Sequence, residues 1–229
     1  MIAFWILFLL IILISLLLTY LSMKDFEEGP EDFGPDNGLF LIRKQHPLTI
    51  ELLDYIIKVL KKKSVIISLE RLFKGGESAL CLYGPKKAIS KLTKALDLIE
   101  LEDYTDAVDI AIWQMGTKTL NHKMTKSFFS DFPKLEDGEQ VWFQMVLQPA
   151  SRGEHFRCQI RGVIVSGDAR RKKQLALVLQ VPRNNLLKVP MPFSTLQMMD
   201  FYKKRSIVGR TKVEFSAGDI IRFWSLPKV

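Results

Sequence analysis

The chain has 229 residues, 48% of them hydrophobic, and carries 33 Lys or Arg against 25 Asp or Glu for a formal net charge of +8. Its two cysteines, Cys81 and Cys158, sit singly inside apolar stretches, which excludes a paired-cysteine secreted scaffold and reads as reduced core residues. The length leaves room for one large or two small domains after any N-terminal targeting segment.

From Ile2 to Leu21 the chain reads IAFWILFLLIILISLLLTYL, without a charged side chain. An apolar run of this length at helical rise matches the hydrocarbon thickness of a bilayer. At roughly −0.4 kcal/mol for each Leu, Ile or Phe near the membrane centre, insertion is favoured by about 6 kcal/mol. Trp5 and Tyr20 lie near the two ends, where amphipathic aromatics prefer the headgroup region. The polar boundary TYLSMKDFEE offers no small-residue cleavage site, which argues against a cleaved signal peptide. We expect a transmembrane helix within residues 1–23, contacting membrane lipid, with Lys24, Arg43 and Lys44 favouring a cytoplasmic body on the inner membrane.

Residues 24–37, rich in Asp, Glu, Pro and Gly, predict an acidic linker. Residues 38–106 then alternate regularly. Leu39 to Arg43 predicts a strand, and Pro47 opens a helix from about Leu48 to Lys62 with Ile50, Leu53, Ile56, Ile57 and Leu60 on one face. Val65 to Phe73 and Ser78 to Tyr83 predict two strands around the turn Lys74-Gly75-Gly76-Glu77. Gly84-Pro85 starts a second helix with Ile89, Leu92, Ala95 and Leu96 inward. A strand at Ile99 to Leu101, or at Val108 to Met115, closes the unit. The order β-α-β-β-α-β is that of a ferredoxin-like sandwich, so the predicted fold class is α+β.

Residues 107–182 predict a second, related α+β unit. Val108 to Trp113 reads as a strand, Asn121 to Phe132 as a helix, and Val141 to Leu147 and Phe156 to Val165 as two further strands. Asp168 can cap a helix from Ala169 to about Leu179, although Gln174 to Val181 reads equally as a buried strand. Residues 183–229 predict a basic helical extension in need of a partner surface. It holds a helix from Thr195 to about Arg205, with Ser194 and Gln197 spaced as a capping box, and a last turn from Gly218 to Trp224.

Charge is unevenly spread: residues 24–149 hold 17 basic and 20 acidic side chains, whereas residues 150–229 hold 16 basic and 5 acidic. The densest basic clusters are Arg170-Arg171-Lys172-Lys173 and Lys203-Lys204-Arg205. They are candidate polyanion-binding residues, for anionic headgroups or nucleic-acid phosphates, or simply a solvated face. Catalytic signatures are missing. Gly75-Gly76 and Gly84-Pro-Lys-Lys87 lack the second glycine and hydroxyl of a phosphate-binding loop, and His46, His122 and His155 are far apart in sequence. His155 and Cys158 are spaced H-x-x-C, but two ligands do not close a zinc site. We expect no catalytic, cofactor or metal residues, and hence no enzyme.

The segment from Phe129 through Leu135-Glu-Asp-Gly-Glu139 into Val141-Trp-Phe-Gln-Met-Val-Leu-Gln-Pro149 resembles a stretch of a membrane-anchored bacterial family. These proteins are similar to the coupling ATPases of type IV secretion and conjugation, common in small-genome candidate-phylum bacteria. The final Phe215-Ser-Ala-Gly-Asp-Ile-Ile-Arg-Phe-Trp-Ser-Leu-Pro227 resembles their junction segment, a short helix ending in Leu-Pro ahead of a hexameric DNA-translocating motor. The resemblance implies a transmembrane helix and an α+β region beside a motor. This chain departs from the pattern, with Ser225 in place of the expected histidine and no motor sequence. The expected function is a non-catalytic scaffold or adaptor of a translocation system, docking a motor ATPase or secretion-complex subunit through its C-terminal helices. The alternative is a polyanion-binding module for DNA or anionic lipid. A homo-oligomer is compatible with both.

Overall fold

The computed structural model describes residues 5, 8–17, 36–43, 48–63, 66–107, 109–150, 155–208 and 213–226. Nine strands among them form one antiparallel sheet, ordered β4-β1-β3-β2-β6-β7-β5-β8, with β9 paired to β7. The strands are β1 (Asn37–Ile42), β2 (Ile67–Lys74), β3 (Glu77–Pro85), β4 (Leu98–Leu101), β5 (Ile110–Gly116), β6 (Gln140–Pro149), β7 (His155–Val165), β8 (Leu187–Val189) and β9 (Val213–Ser216). The helices are α1 (Ile50–Lys63), α2 (Lys86–Ile89), α3 (Thr93–Leu96), α4 (Ala169–Leu179), α5 (Thr195–Lys203) and α6 (Ala217–Trp224). The protein is therefore α+β, as its alternation of strand and helix patterns predicts.

The first half follows the sequence closely. Gly75, at φ 57°, makes the turn between β2 and β3 that the Gly-Gly pair signals. Helix α1 buries Leu53, Ile56 and Ile57 as its periodicity requires, but Ile50 remains 54% exposed. The second predicted helix is broken into α2, a 3-10 turn over Ser90–Leu92, and α3, and it buries Ile89, Leu92 and Leu96. Of the two candidates for the closing strand, the first is used: β4 pairs with β1, whereas β5 lies beyond β7. Strand β2 is not an edge. It pairs along its whole length with β6, from Ile67↔Leu147 to Lys74↔Gln140, so the strands on both sides of residue 107 share one sheet.

Two expectations need correction. Residues 121–132 are not helical; they form bends and turns that carry Met124, Phe128 and Phe129 into the core. Pro133 follows that segment, which carries Lys, Ser and Thr throughout, and the apolar side chains it buries are placed by turns rather than by a helical stripe. The 183–229 segment is not left waiting for a partner. Strand β9 pairs with β7, and Phe215, Ala217, Ile220, Phe223 and Trp224 belong to the same apolar core as the first half. Of the segment that reads equally as helix or strand, residues 174–179 lie in helix α4, capped as predicted by Asp168, whose side chain accepts from the Arg170 N–H at 2.8 Å.

The sheet has two unlike faces. One carries Leu69 and Phe73 of β2, Phe143 and Met145 of β6, Ile160 and Ile164 of β7 and Trp113 of β5, beneath α1, α4 and α6. Phe73, Phe128, Phe129, Phe132, Phe143, Phe223 and Trp224 interlock there, with ring centroids 4.0–6.4 Å apart. Arg71 of β2 reaches out of this cluster and donates to the Trp224 carbonyl at 2.8 Å, tying the last turn of α6 to the sheet. Burial pushes that guanidinium down to about 10.

Among the described residues no helix is long and apolar enough to cross a membrane. Of the predicted span, residues 8–17 and Trp5 are helical, and Ile2, Tyr20 and Leu21 lie outside the described residues.

A test of the packing falls on Gly162 of β7. A Cβ there would meet the Trp113 indole at 2.3 Å, because the ring lies flat across the glycine. Gly162→Ala is expected to destabilise the protein by about 2–3 kcal/mol. A second change, Trp113→Leu, should recover part of that loss in the double variant; both are read by denaturant titration.

Candidate functional site: a buried polar row and an exposed basic cleft

The second face of the sheet is polar at its centre. Strand register places Glu70 (β2) beside Gln144 (β6), Gln144 beside Arg161 (β7), and Arg161 beside Gln114 (β5), so one cross-strand row runs over four strands. All four side chains are fully buried. They are covered by residues 103–107 and by the segment from α5 to Val208, where Met199 and Tyr202 pack on Trp142 and Val163.

Glu70 accepts from Ser68 Oγ at 2.5 Å, Tyr104 OH at 2.6 Å, Gln144 Nε2 at 3.1 Å and Arg205 Nε at 3.0 Å. Arg205 also donates to Asp103 Oδ2 at 2.5 Å and to the Lys203 carbonyl at 2.7 Å, and its guanidinium lies 4.2 Å over the Tyr83 ring. Burial disfavours the Arg205 charge, but Glu70 and Asp103 outweigh it and hold the group above its ordinary range. Burial likewise works to raise the Asp103 carboxyl, yet the Arg205 bonds bring it below its usual value. Tyr104 and Tyr202 are pushed well up by burial and by the nearby Glu70 charge, so both stay neutral hydrogen-bonding groups.

Arg161 differs, since its described partners are all neutral. It donates to Gln159 Oε1 at 2.8 Å, Gln144 Oε1 at 3.2 Å and the carbonyls of Phe201 at 3.0 Å and Ser206 at 2.5 Å. Desolvation lowers it to about 10, still charged at neutral pH. Its fork of donors fits this set of converging oxygens, which a lysine would not match.

The structure separates the seven basic residues that the sequence groups. Arg205 is 2% exposed and committed to Glu70, so it is no surface contact. It even adopts φ 51°, a left-handed position just past α5 that favours glycine, to deliver its side chain inward. Lys203 pairs with Asp106 at 2.6 Å and Lys204 with Asp200 at 3.0 Å. Arg171 is held by Glu139 at 2.7 Å, and Lys172 donates to the Asp109 carbonyl at 3.0 Å. Arg170 and Lys173 remain exposed on one stripe of α4, which continues through Gln174, Leu177 and Val178, with Val181 exposed just past the helix. Of these, Leu177 is 75% exposed.

The histidines that lie apart in sequence come together. His122 and His155 line one cleft of about 390 Å³ with Asn121, Lys123, Glu214, Ser216, Gly218, Asp219 and Arg222. The cleft forms because residues 120–124 are stitched to β9 and α6: Glu214 N–H donates to Leu120 O at 2.7 Å, His122 N–H to Glu214 O at 3.2 Å, and Met124 N–H to Asp219 Oδ1 at 2.8 Å. Cys158 points away into the core, and burial raises its thiol well above the ordinary range, so the H-x-x-C spacing does not converge on one point. Among the described residues no group of three or more His, Cys, Asp or Glu could hold a metal ion.

Removing the centre of the row tests its weight. Arg161→Met leaves the oxygens that Arg161 serves without their donor, and Arg205→Gly leaves Glu70 buried without its cation. Each should cost about 3 kcal/mol, even though glycine suits the Arg205 backbone. In the Glu70→Gln/Arg205→Gly double variant the loss should fall below the sum of the single losses, as read by thermal and denaturant unfolding.

No protein-family model matches the chain, and no curated protein matches it either.

Proposed function

We propose that the protein is a membrane-tethered, non-catalytic scaffold or adaptor of a type IV secretion or conjugation-like translocation system. In this reading its α+β body, facing the cytoplasm, docks a motor ATPase. The observation that carries it is the N-terminal helical run. Trp5 and residues 8–14, 16 and 17 are apolar, and each described large side chain there is 42–63% exposed, on every side of the helix. A helix that is apolar all round is at home in lipid or in a protein core, and the described residues give it no core. Trp5 against Phe8, at 6.1 Å, adds an aromatic pair toward one end.

The first-half strand order, β4-β1-β3-β2 with all neighbours antiparallel, supports reading residues 38–106 as a ferredoxin-like unit. Strands β5 to β9 then extend that unit's sheet through β6. Such a body is a rigid platform rather than an enzyme pocket.

Docking through the C-terminal helices has to be restated. Helix α6 turns its apolar face into the core, so it has none to offer. Among the apolar side chains that face outward are Leu177 and Val178 of α4, Val181 just past it, and Leu196 of α5, which is 84% exposed. A protein partner is favoured over a polyanion at these places, because Arg170 and Lys173 are the two of the seven basic candidates left exposed without a described ion pair.

Two measurements test the reading. The full chain, expressed in a bacterial host, should stay in the membrane pellet after alkaline carbonate washing; release into the supernatant would remove the tether. In detergent extracts of the native cells it should enrich a P-loop ATPase, and Leu177→Glu with Leu196→Glu should reduce that enrichment about tenfold. Recovery of the chain with no ATPase would contradict the adaptor role.

A further inference from the structure

The cleft of His122 and His155 has no part in tethering or docking, and its chemistry points elsewhere. At about 390 Å³ it falls within the size range of small-molecule sites. Its two carboxylates are already engaged. Glu214 accepts from Arg157 Nε at 3.3 Å, and Asp219 accepts from the Met124 N–H at 2.8 Å, the Ser216 N–H at 3.1 Å and the Ser216 hydroxyl at 2.5 Å. The groups left to meet a ligand are donors. Arg222 spends one nitrogen on the Met124 carbonyl and keeps the rest of its fork, and Lys123 and His155 are exposed at the rim. Inside, the His122 Nε2 atom is buried with no hydrogen-bond partner among the described residues. Buried polar atoms are normally satisfied, so this orphan, on a residue that lines the cleft, leaves one partner to be supplied once the ring turns toward a ligand.

The donors are held in advance. The backbone bonds between residues 120–124, β9 and α6 fix His122 and Lys123 in place, and the His122 ring lies 6.0 Å from Phe215. We propose that this cleft binds a small phosphate-bearing anion, a phosphomonoester of up to mononucleotide size. Lys123 and Arg222 supply the charge, and the rings of His122 and His155 stand beside them. Arg222 meets the phosphate oxygens as a fork, Lys123 as a point charge.

The three histidines of the chain make the test direct. The full-length protein in detergent, with isotope-labelled histidine, is titrated with inorganic phosphate, glycerol 3-phosphate and adenosine monophosphate at fixed pH and ionic strength. Sodium chloride serves as the control. The ring signals of His122 and His155 should move together and saturate. Tightest binding of phosphate, glycerol phosphate or the nucleotide tells whether the free anion, a headgroup-like ester or a nucleotide is the occupant. Lys123→Gln, at an exposed position that cannot disturb the fold, should weaken binding about tenfold, the loss of one charge-assisted contact. Shifts that never saturate or that follow chloride equally would overturn the proposal. So would an unchanged affinity in Lys123→Gln. The result is independent of whether the N-terminal helix enters lipid.

Discussion

The structure depends on a buried charge with no carboxylate partner among the described residues. Arg161 stands at the centre of a nine-stranded sheet, fully buried, and every donor direction ends on a neutral oxygen. A cation in such a place is stable only if all of those oxygens are supplied at once. Two of them, the carbonyls of Phe201 and Ser206, come from outside the sheet. The sheet therefore cannot form its polar row without also binding the segment that follows α5. The ion pair of Glu70 and Arg205 imposes the same demand one strand pair away, across 135 residues of sequence. An apolar face tolerates sliding of what covers it, but a face built of directed bonds admits one arrangement.

This explains why strands on both sides of residue 107 share one body. The β2–β6 pairing gives the sheet continuity, and the polar row spans that joint, with Glu70 on β2 and Gln144 on β6. On the opposite face the joint is crossed again by aromatic rings, with Phe73 of β2 against Phe143 of β6 and Phe132 of the turn segment. Arg71 then fastens the C-terminal helix to β2. The outward-facing features, the α4 stripe and Leu196, are thereby held at fixed positions on the body. The His122 cleft is fixed by the same logic, since β9 joins the edge of β7 and draws residues 120–124 with it.

How much of this was legible in the sequence follows from the range of each interaction. Signals that act within a few residues were readable: the Gly75 turn, the α1 stripe, the Asp168 cap, and the capping box of Ser194 with Gln197, all of which the structure contains. The helix expected over 121–132 failed because its apolar residues are buried by tertiary contact, not by periodicity. Strands β8 and β9 are three and four residues long and owe their existence to neighbours, so no local pattern marked them. Arg205 looked like surface because its run is Lys-Lys-Arg, and nothing nearby in sequence names Glu70. The one available hint was the reverse pattern: Glu70 within ISLERLF, Gln144 within VWFQMVL and Arg161 within FRCQIRGVIV are polar side chains inside otherwise apolar strands. The cleft had no hint of this sort, since His122 and His155 meet only through the β9 pairing.

Amide hydrogen exchange of the full chain, followed residue by residue under native conditions, tests the central claim most directly. If Arg161 and Glu70 weld the covering segment to the sheet, the amides of α5 through Ser206 exchange with the same opening free energy as those of β6 and β7, in one global unit. If that segment exchanges by a separate, lower-energy opening while β6 and β7 stay protected, the polar row is not what holds the body together, and the account is wrong.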